Sequence, residues 1–155
     1  MNEVVGIFMI RLANENDLDE LVKIENMMFD DKYYYKLSKQ EIFKLLAKKS
    51  TIMYIWEIDF QIVGYALGII VNKKNLWFNS LAVLKQWQST NVAKELFKSI
   101  ELYSSTNSFD SVILEIRNDN KALLRRYKGM GYCEWKQIPN YYPDGCSAIR
   151  MLKKR

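Results

Sequence analysis

A chain of 155 residues, 49% hydrophobic and 26% charged, has the size and composition of one globular domain, and one core suffices at this length without disulfides or metal. It contains no histidine, which excludes Ser-His-Asp, Cys-His and HExxH sites and leaves Asp, Glu, Tyr, Lys, Cys, a chain terminus or water to move protons. The excess of 23 Lys and Arg over 18 Asp and Glu favours a polyanionic partner such as a phosphorylated cofactor, while the dispersed charges and the lack of a zinc-finger or RNP-like string argue against nucleic acid.

No apolar run approaches the ~20 residues of a membrane span. The N-terminus has neither the basic flank nor the cleavage site of a signal peptide, so a cytoplasmic protein with no membrane association is expected. Cys133 and Cys146 form no CxxC pair and read as two buried thiols.

Phe8 to Leu12 reads as a first strand. Asn14 then caps a helix with Leu18, Leu21, Ile24 and Met28 on one face, and Ser38-Lys39-Gln40-Glu41 is a capping box that opens a second helix. Thr51–Trp56 and Ile62–Ile70 flank a polar turn from Glu57 to Gln61 and predict an antiparallel hairpin. Trp77–Val83 is a further strand. Val92, Leu96, Ile100 and Tyr103 mark a long helix, and Ser111–Ile116 a strand. Asp119 to Lys128 is helical and stopped by Gly129. Gly131–Gln137 and Ala148–Leu152 read as two last strands. The order β-α-α-β-β-β-α-β-α-β-β predicts an α/β domain with a mixed sheet, in which strands four and five are parallel because a helix joins them.

Two places carry chemistry. The loop Gln88-Ser89-Thr90-Asn91-Val92-Ala93 runs from a strand into a helix N-terminus, where free N–H groups and the helix dipole suit an anion. Glu115 is either a strand-end ion-pairing glutamate or a base, and Tyr127 is either a core tyrosine or an acid. Asn120 by itself reads as a helix cap.

The segment Phe78–Glu101 resembles the acetyl-CoA motif of the GNAT acetyltransferases, and Leu114–Leu152 resembles the RimI branch of that family. The elements that carry the likeness are Leu114-Glu115-Ile116-Arg117, Asn120, Tyr127, Gly131-Tyr132 and Asn140-Tyr141-Tyr142-Pro143-Asp144-Gly145, then Ala148 and Met151. The resemblance implies a GNAT fold over residues 1–155 with helices on both faces of the sheet, residues 1–8 being an N-terminal extension. It implies acetyl-CoA as the acetyl donor and no metal. The backbone of Leu81, Ala82 and Val83 would hold the pantetheine, the Gln88–Ala93 amides the pyrophosphate, and Asn120 would touch the cofactor. Glu115 would be the general base and Tyr127 the general acid. Tyr34, Tyr141 and Tyr142 would bind the acceptor.

Asn91 stands where the family has glycine, and the reading is that asparagine tolerates the positive φ such a site permits. Ser147 stands where the RimI branch has a carboxylate, and Tyr33-Tyr34-Tyr35-Lys36 where it has a Pro-Trp pair. Both departures fall on the acceptor side. The resemblance implies a protein N-terminal amine, such as that of a ribosomal protein, as acceptor. A small-molecule amine acetyltransferase and a module that binds acetyl-CoA without catalysis remain open, as does a monomer or a homodimer.

Overall fold

The structure, a computed structural model, describes residues 6–155. In chain order it contains β1 (Phe8–Leu12), α1 (Leu18–Met28), α2 (Lys39–Ala47), β2 (Thr51–Ile58), β3 (Gln61–Ile70) and β4 (Asn75–Val83). These are followed by α3 (Val92–Thr106), β5 (Ser111–Arg117), α4 (Lys121–Gly129), β6 (Cys133–Ile138) and β7 (Ala148–Lys154). The strands form one seven-stranded sheet in the order β1-β2-β3-β4-β5-β7-β6. Only β4 and β5 are parallel, joined through α3 as the sequence predicts; the other neighbours are antiparallel. This is the mixed α/β fold expected from the element order.

The helices cover both faces. Leu96 and Ile100 of α3 are fully buried against Val63, Ala66 and Phe78, and Leu21, Ile24 and Ile42 of α1 and α2 pack against Ile55, Tyr65 and Leu67. Each such side chain contributes about 1.5–3 kcal/mol on burial. Strand β3 is buried on both faces, and Gly64 lets α3 approach it. A Cβ there would lie 3.0 Å from the Ala82 carbonyl and 3.1 Å from Leu96 Cδ1.

Two features of β4 build the site. Leu67 pairs with Ser80 and Gly68 with Phe78, so Asn79 is an extra residue that bulges the strand. Strand β4 pairs with β5 only from Asn75 to Trp77, opposite Ser111 to Ile113. Beyond that point the two parallel strands part, and the edge of β4 from Phe78 to Val83 that faces β5 has no strand partner among the described residues.

Several local expectations need correction. The cap Asn14 opens a short 3₁₀ turn, Glu15–Asp17, and α1 begins only at Leu18. The β2–β3 connection is not five residues long but two, Asp59 and Phe60, both at positive φ (49° and 66°), so the strands run closer to the turn than predicted. Gly129 does not stop α4. The helix includes it, and Gly131 at φ 96° supplies the left-handed turn. The strand predicted from Gly131 begins only at Cys133, whereas the last strand begins at Ala148 as predicted and runs on to Lys154. The thiols are not buried: Cys133 is exposed and Cys146 half-buried. Of the expected N-terminal extension, residues 1–5 lie outside the described residues, whereas Phe8 pairs with Ile58 and Ile7 donates to Asp59 Oδ1 at 2.9 Å.

Candidate active site

The parting of β4 and β5 opens a cleft of about 830 Å³. One wall is β4 from Trp77 to Leu81 and β5 from Leu114 to Arg117. Asn120, Arg126 and Tyr127 come from the α4 side. The opposite wall is Tyr34–Leu37 from the α1–α2 connection and Tyr141–Pro143 from the β6–β7 connection. The cleft thus brings together Leu81, Glu115, Asn120, Tyr127, Tyr34, Tyr141 and Tyr142. It does not include Ala82, Val83 or Gln88–Ala93. The side chains of Ala82 and Val83 are buried in the core, and what they offer is the open backbone edge of β4.

Glu115 is tightly held. Its Oε2 accepts the Trp77 indole N–H at 2.6 Å, and its Oε1 accepts Arg150 Nε at 3.1 Å and Nη2 at 2.8 Å. Arg150 faces it directly across the β5–β7 pairing. The Glu115 side chain is only 6% exposed, so this is a cleft carboxylate with an ion partner rather than a solvated surface glutamate. Three N–H donors occupy three of its four lone-pair sites, which leaves one site on Oε2 to take a proton.

Tyr127 lies with its ring 5.4 Å from Phe97 and 5.9 Å from Tyr132, and Phe97 in turn stacks on Phe78 at 4.5 Å. The stack seats α4 on α3 and fixes the ring at the cleft. Burial pushes the phenol up to about 12, against a smaller opposing effect of Arg126, so the hydroxyl keeps its proton at neutral pH. Asn120 Oδ1 accepts the Leu123 N–H at 3.1 Å and caps α4 while bordering the cleft, so capping and a cleft contact are compatible.

The Gln88–Ala93 loop is exposed from Gln88 to Asn91, with Val92 buried and Ala93 half-buried where it leads into α3. Gln88 Nε2 donates to the Val83 carbonyl at 2.9 Å, and the Val92 N–H reaches Thr90 Oγ1 at 3.3 Å. The amides of Ser89, Asn91, Ala93 and Lys94 find no acceptor among the described residues. Such a cluster at a helix N-terminus fits an anionic group. Asn91 sits at φ −77°, ψ 0°. The positive φ read for this position is absent, because the loop adopts a right-handed conformation that any residue accepts.

The tyrosine-rich wall is organised by Arg117, which is 8% exposed. Its guanidinium donates to the Tyr33 carbonyl at 2.9 Å, to both carboxylate oxygens of Asp144 at 3.1 and 2.6 Å, and to both of Asp119 at 3.1 and 3.0 Å. It also lies over the rings of Tyr33, Tyr34 and Tyr142. The hydrogen bonds hold the Asp119 and Asp144 carboxyls below the usual carboxylate range. Burial raises the phenols of Tyr34, Tyr141 and Tyr142, which all stay neutral around pH 7. One arginine therefore ties the α1–α2 and β6–β7 connections to the end of β5.

Sequence reasoning did not single out this role of Arg117, the Trp77–Glu115–Arg150 network, or Glu25, a buried carboxylate at the cleft. A signal for Glu25 existed: it falls four residues after Leu21 on the apolar face of α1. Trp135 is 52% exposed, outside the core and the cleft. No group of His, Cys, Asp or Glu among the described residues is arranged to hold a metal ion, and no described helix is long and apolar enough to cross a membrane.

Comparison with known proteins agrees with this geometry. The pattern of the acetyltransferase (GNAT) family matches residues 3–132. An uncharacterized N-acetyltransferase of Methanocaldococcus jannaschii is 34% identical over 147 residues, covering 94% of this chain and 91% of that one. An N-alpha-acetyltransferase of Sulfurisphaera tokodaii is 27% identical over 156 residues, covering 93% and 91%. Among solved structures, Ard1 from Thermoplasma volcanium superposes with a TM-score of 0.84 at 21% identity, covering 95% of this chain and 97% of that one, a likeness of fold. With a family pattern that spans most of its length and a sheet that opens where that family's motif was read, the chain belongs to the GNAT acetyltransferases and is an N-acetyltransferase.

Proposed function

We propose that the protein transfers the acetyl group of acetyl-CoA to the α-amine of a protein or peptide N-terminus. The observation that carries this reading is the cleft at the β4–β5 parting. It has an unpaired strand edge on one wall, a carboxylate and a protonated phenol at its base, and an aromatic wall opposite. The open edge of Leu81–Val83 suits the amide-bearing pantetheine arm, and the free amides of the Gln88–Ala93 loop suit the pyrophosphate. Glu115 is the general base, directly or through a water, and Tyr127 donates to the departing sulfur. Tyr34, Tyr141 and Tyr142 shape the acceptor side, supported by Arg117.

A polyamine or aminoglycoside acceptor would call for free carboxylates on that wall. The cleft does contain Glu25, Asp31, Glu41 and Glu115, but each already accepts a hydrogen bond or an ion pair, so together they do not form a cluster of free carboxylates that a polycation would need. Asp31 pairs with Lys36 at 3.3 Å, Glu115 with Arg150, Glu41 with the Ser38 amide, and Glu25 with Tyr65 and Leu37. The tyrosine-rich wall suits a peptide better, and the likeness to N-alpha-acetyltransferases supports the same class. A ribosomal protein is a narrower version of this proposal. Steady-state turnover of acetyl-CoA against peptides with a free small N-terminal residue, free lysine, spermidine and an aminoglycoside tests it. Peptides are expected to lead in kcat/KM, and a tenfold advantage for a polyamine would reverse the assignment.

A further inference from the structure

Glu25 has no part in the acid–base pair above, yet it borders the cleft with only 3% of its surface exposed. Its Oε1 accepts the Leu37 N–H at 3.2 Å, and its Oε2 accepts the Tyr65 hydroxyl. The Tyr65 oxygen lies 3.4 Å from Ser80 Oγ. Ser80 follows the bulge residue Asn79, on the stretch of β4 whose free edge faces the parted β5. Glu25 is therefore separated by one phenol from the strand proposed to carry the acetyl group.

Its surroundings differ from those of Glu115. Glu115 has a guanidinium on one oxygen and an indole on the other, whereas the donors to Glu25 are a phenol and a peptide amide, both neutral. Burial dominates and raises the Glu25 carboxyl above its ordinary value. The Tyr65 and Leu37 hydrogen bonds and the charge of Lys36 oppose this, and Glu41 adds to it. A buried carboxylate without an ion-pair partner is expensive to keep, and this one borders the cleft proposed to hold the acceptor's ammonium group.

We propose that Glu25 accepts the first proton from the acceptor's ammonium group, with Tyr65 as its positioning residue; this rests on the acetyl-transfer reading. The N–H proton passes to a Glu25 oxygen, which leaves a neutral amine and a protonated carboxyl. The amine lone pair forms the N–C bond at the thioester carbonyl. As the adduct collapses, the C–S bond breaks, and its electron pair leaves on sulfur, which takes a proton from Tyr127. A second nitrogen proton replaces the one Tyr127 gave up, through Glu115 or water, and Glu25 returns its proton to solvent through the cleft.

The test is the pH dependence of kcat/KM and kcat for a peptide with N-terminal alanine at saturating acetyl-CoA, in the wild type and in Glu25→Gln, Tyr65→Phe and Glu115→Gln. Glu25→Gln should lower kcat at neutral pH by about 10²-fold or more and move the acidic limb to that of the free α-amine, near pH ~8, with recovery above it. Tyr65→Phe removes a hydrogen bond that favours the charged carboxylate, so the acidic limb should move to higher pH with a smaller rate loss. A purely structural role for the pair would lower activity without moving the limb. Wild-type kcat and an unmoved limb in Glu25→Gln would overturn the inference. If that variant fails to fold, an unmoved limb in Tyr65→Phe does so. A wild-type protein that acetylates no amine sinks the acetyl-transfer reading itself, whereas an active wild type with a limb insensitive to Glu25 sinks only the role of Glu25.

Discussion

Replacing Tyr127 by phenylalanine removes one oxygen from the cleft and leaves the stack intact. The ring contacts with Phe97 at 5.4 Å and Tyr132 at 5.9 Å survive, and the hydroxyl makes no hydrogen bond to the described residues. Stability should therefore change by less than about 1 kcal/mol. The catalytic loss should be large, about 10²–10⁴-fold in kcat, which corresponds to about 3–5.5 kcal/mol of transition-state stabilisation. With the phenol pushed up to about 12, its ionised fraction at pH 9 is about 10⁻³, against about 10⁻¹ for an ordinary tyrosine. Wild-type kcat should therefore show no alkaline limb from this residue up to about pH 10. The assay is the release of free CoA thiol at saturating acetyl-CoA and peptide, from pH 6 to 10, together with acetyl-CoA affinity by calorimetry. A variant with wild-type kcat, or one whose loss lies entirely in acetyl-CoA affinity, refutes the role of Tyr127 as proton donor.

Arg150→Met should destabilise the fold by about 1–2 kcal/mol, since two N–H donors to a nearly buried carboxylate are lost while the arginine itself is partly exposed; an unchanged urea midpoint would show the pair to be energetically silent. Gly64→Ala should cost about 1–3 kcal/mol because its Cβ meets the Ala82 carbonyl and Leu96, and thermal melting should show a drop of several degrees. Arg117→Met should loosen the acceptor wall, raising KM for the peptide at least about tenfold with a smaller change in kcat; a pure kcat effect in steady-state kinetics would contradict the role given to Arg117. Asn91→Gly should leave acetyl-CoA affinity within about threefold by calorimetry, under 1 kcal/mol, because residue 91 already sits at φ −77°.

The order of elements was legible because hydrophobic spacing reports which face of each element is buried. Leu96 and Ile100 on α3 and Leu21 and Ile24 on α1 were all readable as inward. Turn details were not, since Asp59 and Phe60 adopt positive φ without glycine and Gly129, a usual helix stop, lies within α4. The resemblance led to Glu115, Tyr127 and the tyrosines of the cleft because those residues sit in short motifs. Glu25 was hidden by its neighbours. A carboxylate on an apolar helix face gains meaning only when Tyr65 and Ser80, far away in sequence, are seen beside it. The Glu115–Arg150 pair was equally out of reach, because the pairing of β5 with β7 sets it and no local pattern reports that register. Asn91 misled for a related reason: a glycine in a motif does not say whether the loop needs its dihedrals or only its small size.

The account rests on an acetyl group moving to a peptide α-amine in the cleft between β4 and β5. Mass spectrometry of a peptide that carries both a free N-terminal alanine and an internal lysine, incubated with acetyl-CoA and the wild-type protein, addresses this directly. The account predicts one added acetyl group, located by fragmentation on the N-terminal nitrogen, and no detectable product with the Glu115→Gln, Tyr127→Phe double variant over the same time. Acetylation of the lysine alone, or no transfer to the peptide when spermidine is acetylated under the same conditions, would contradict it.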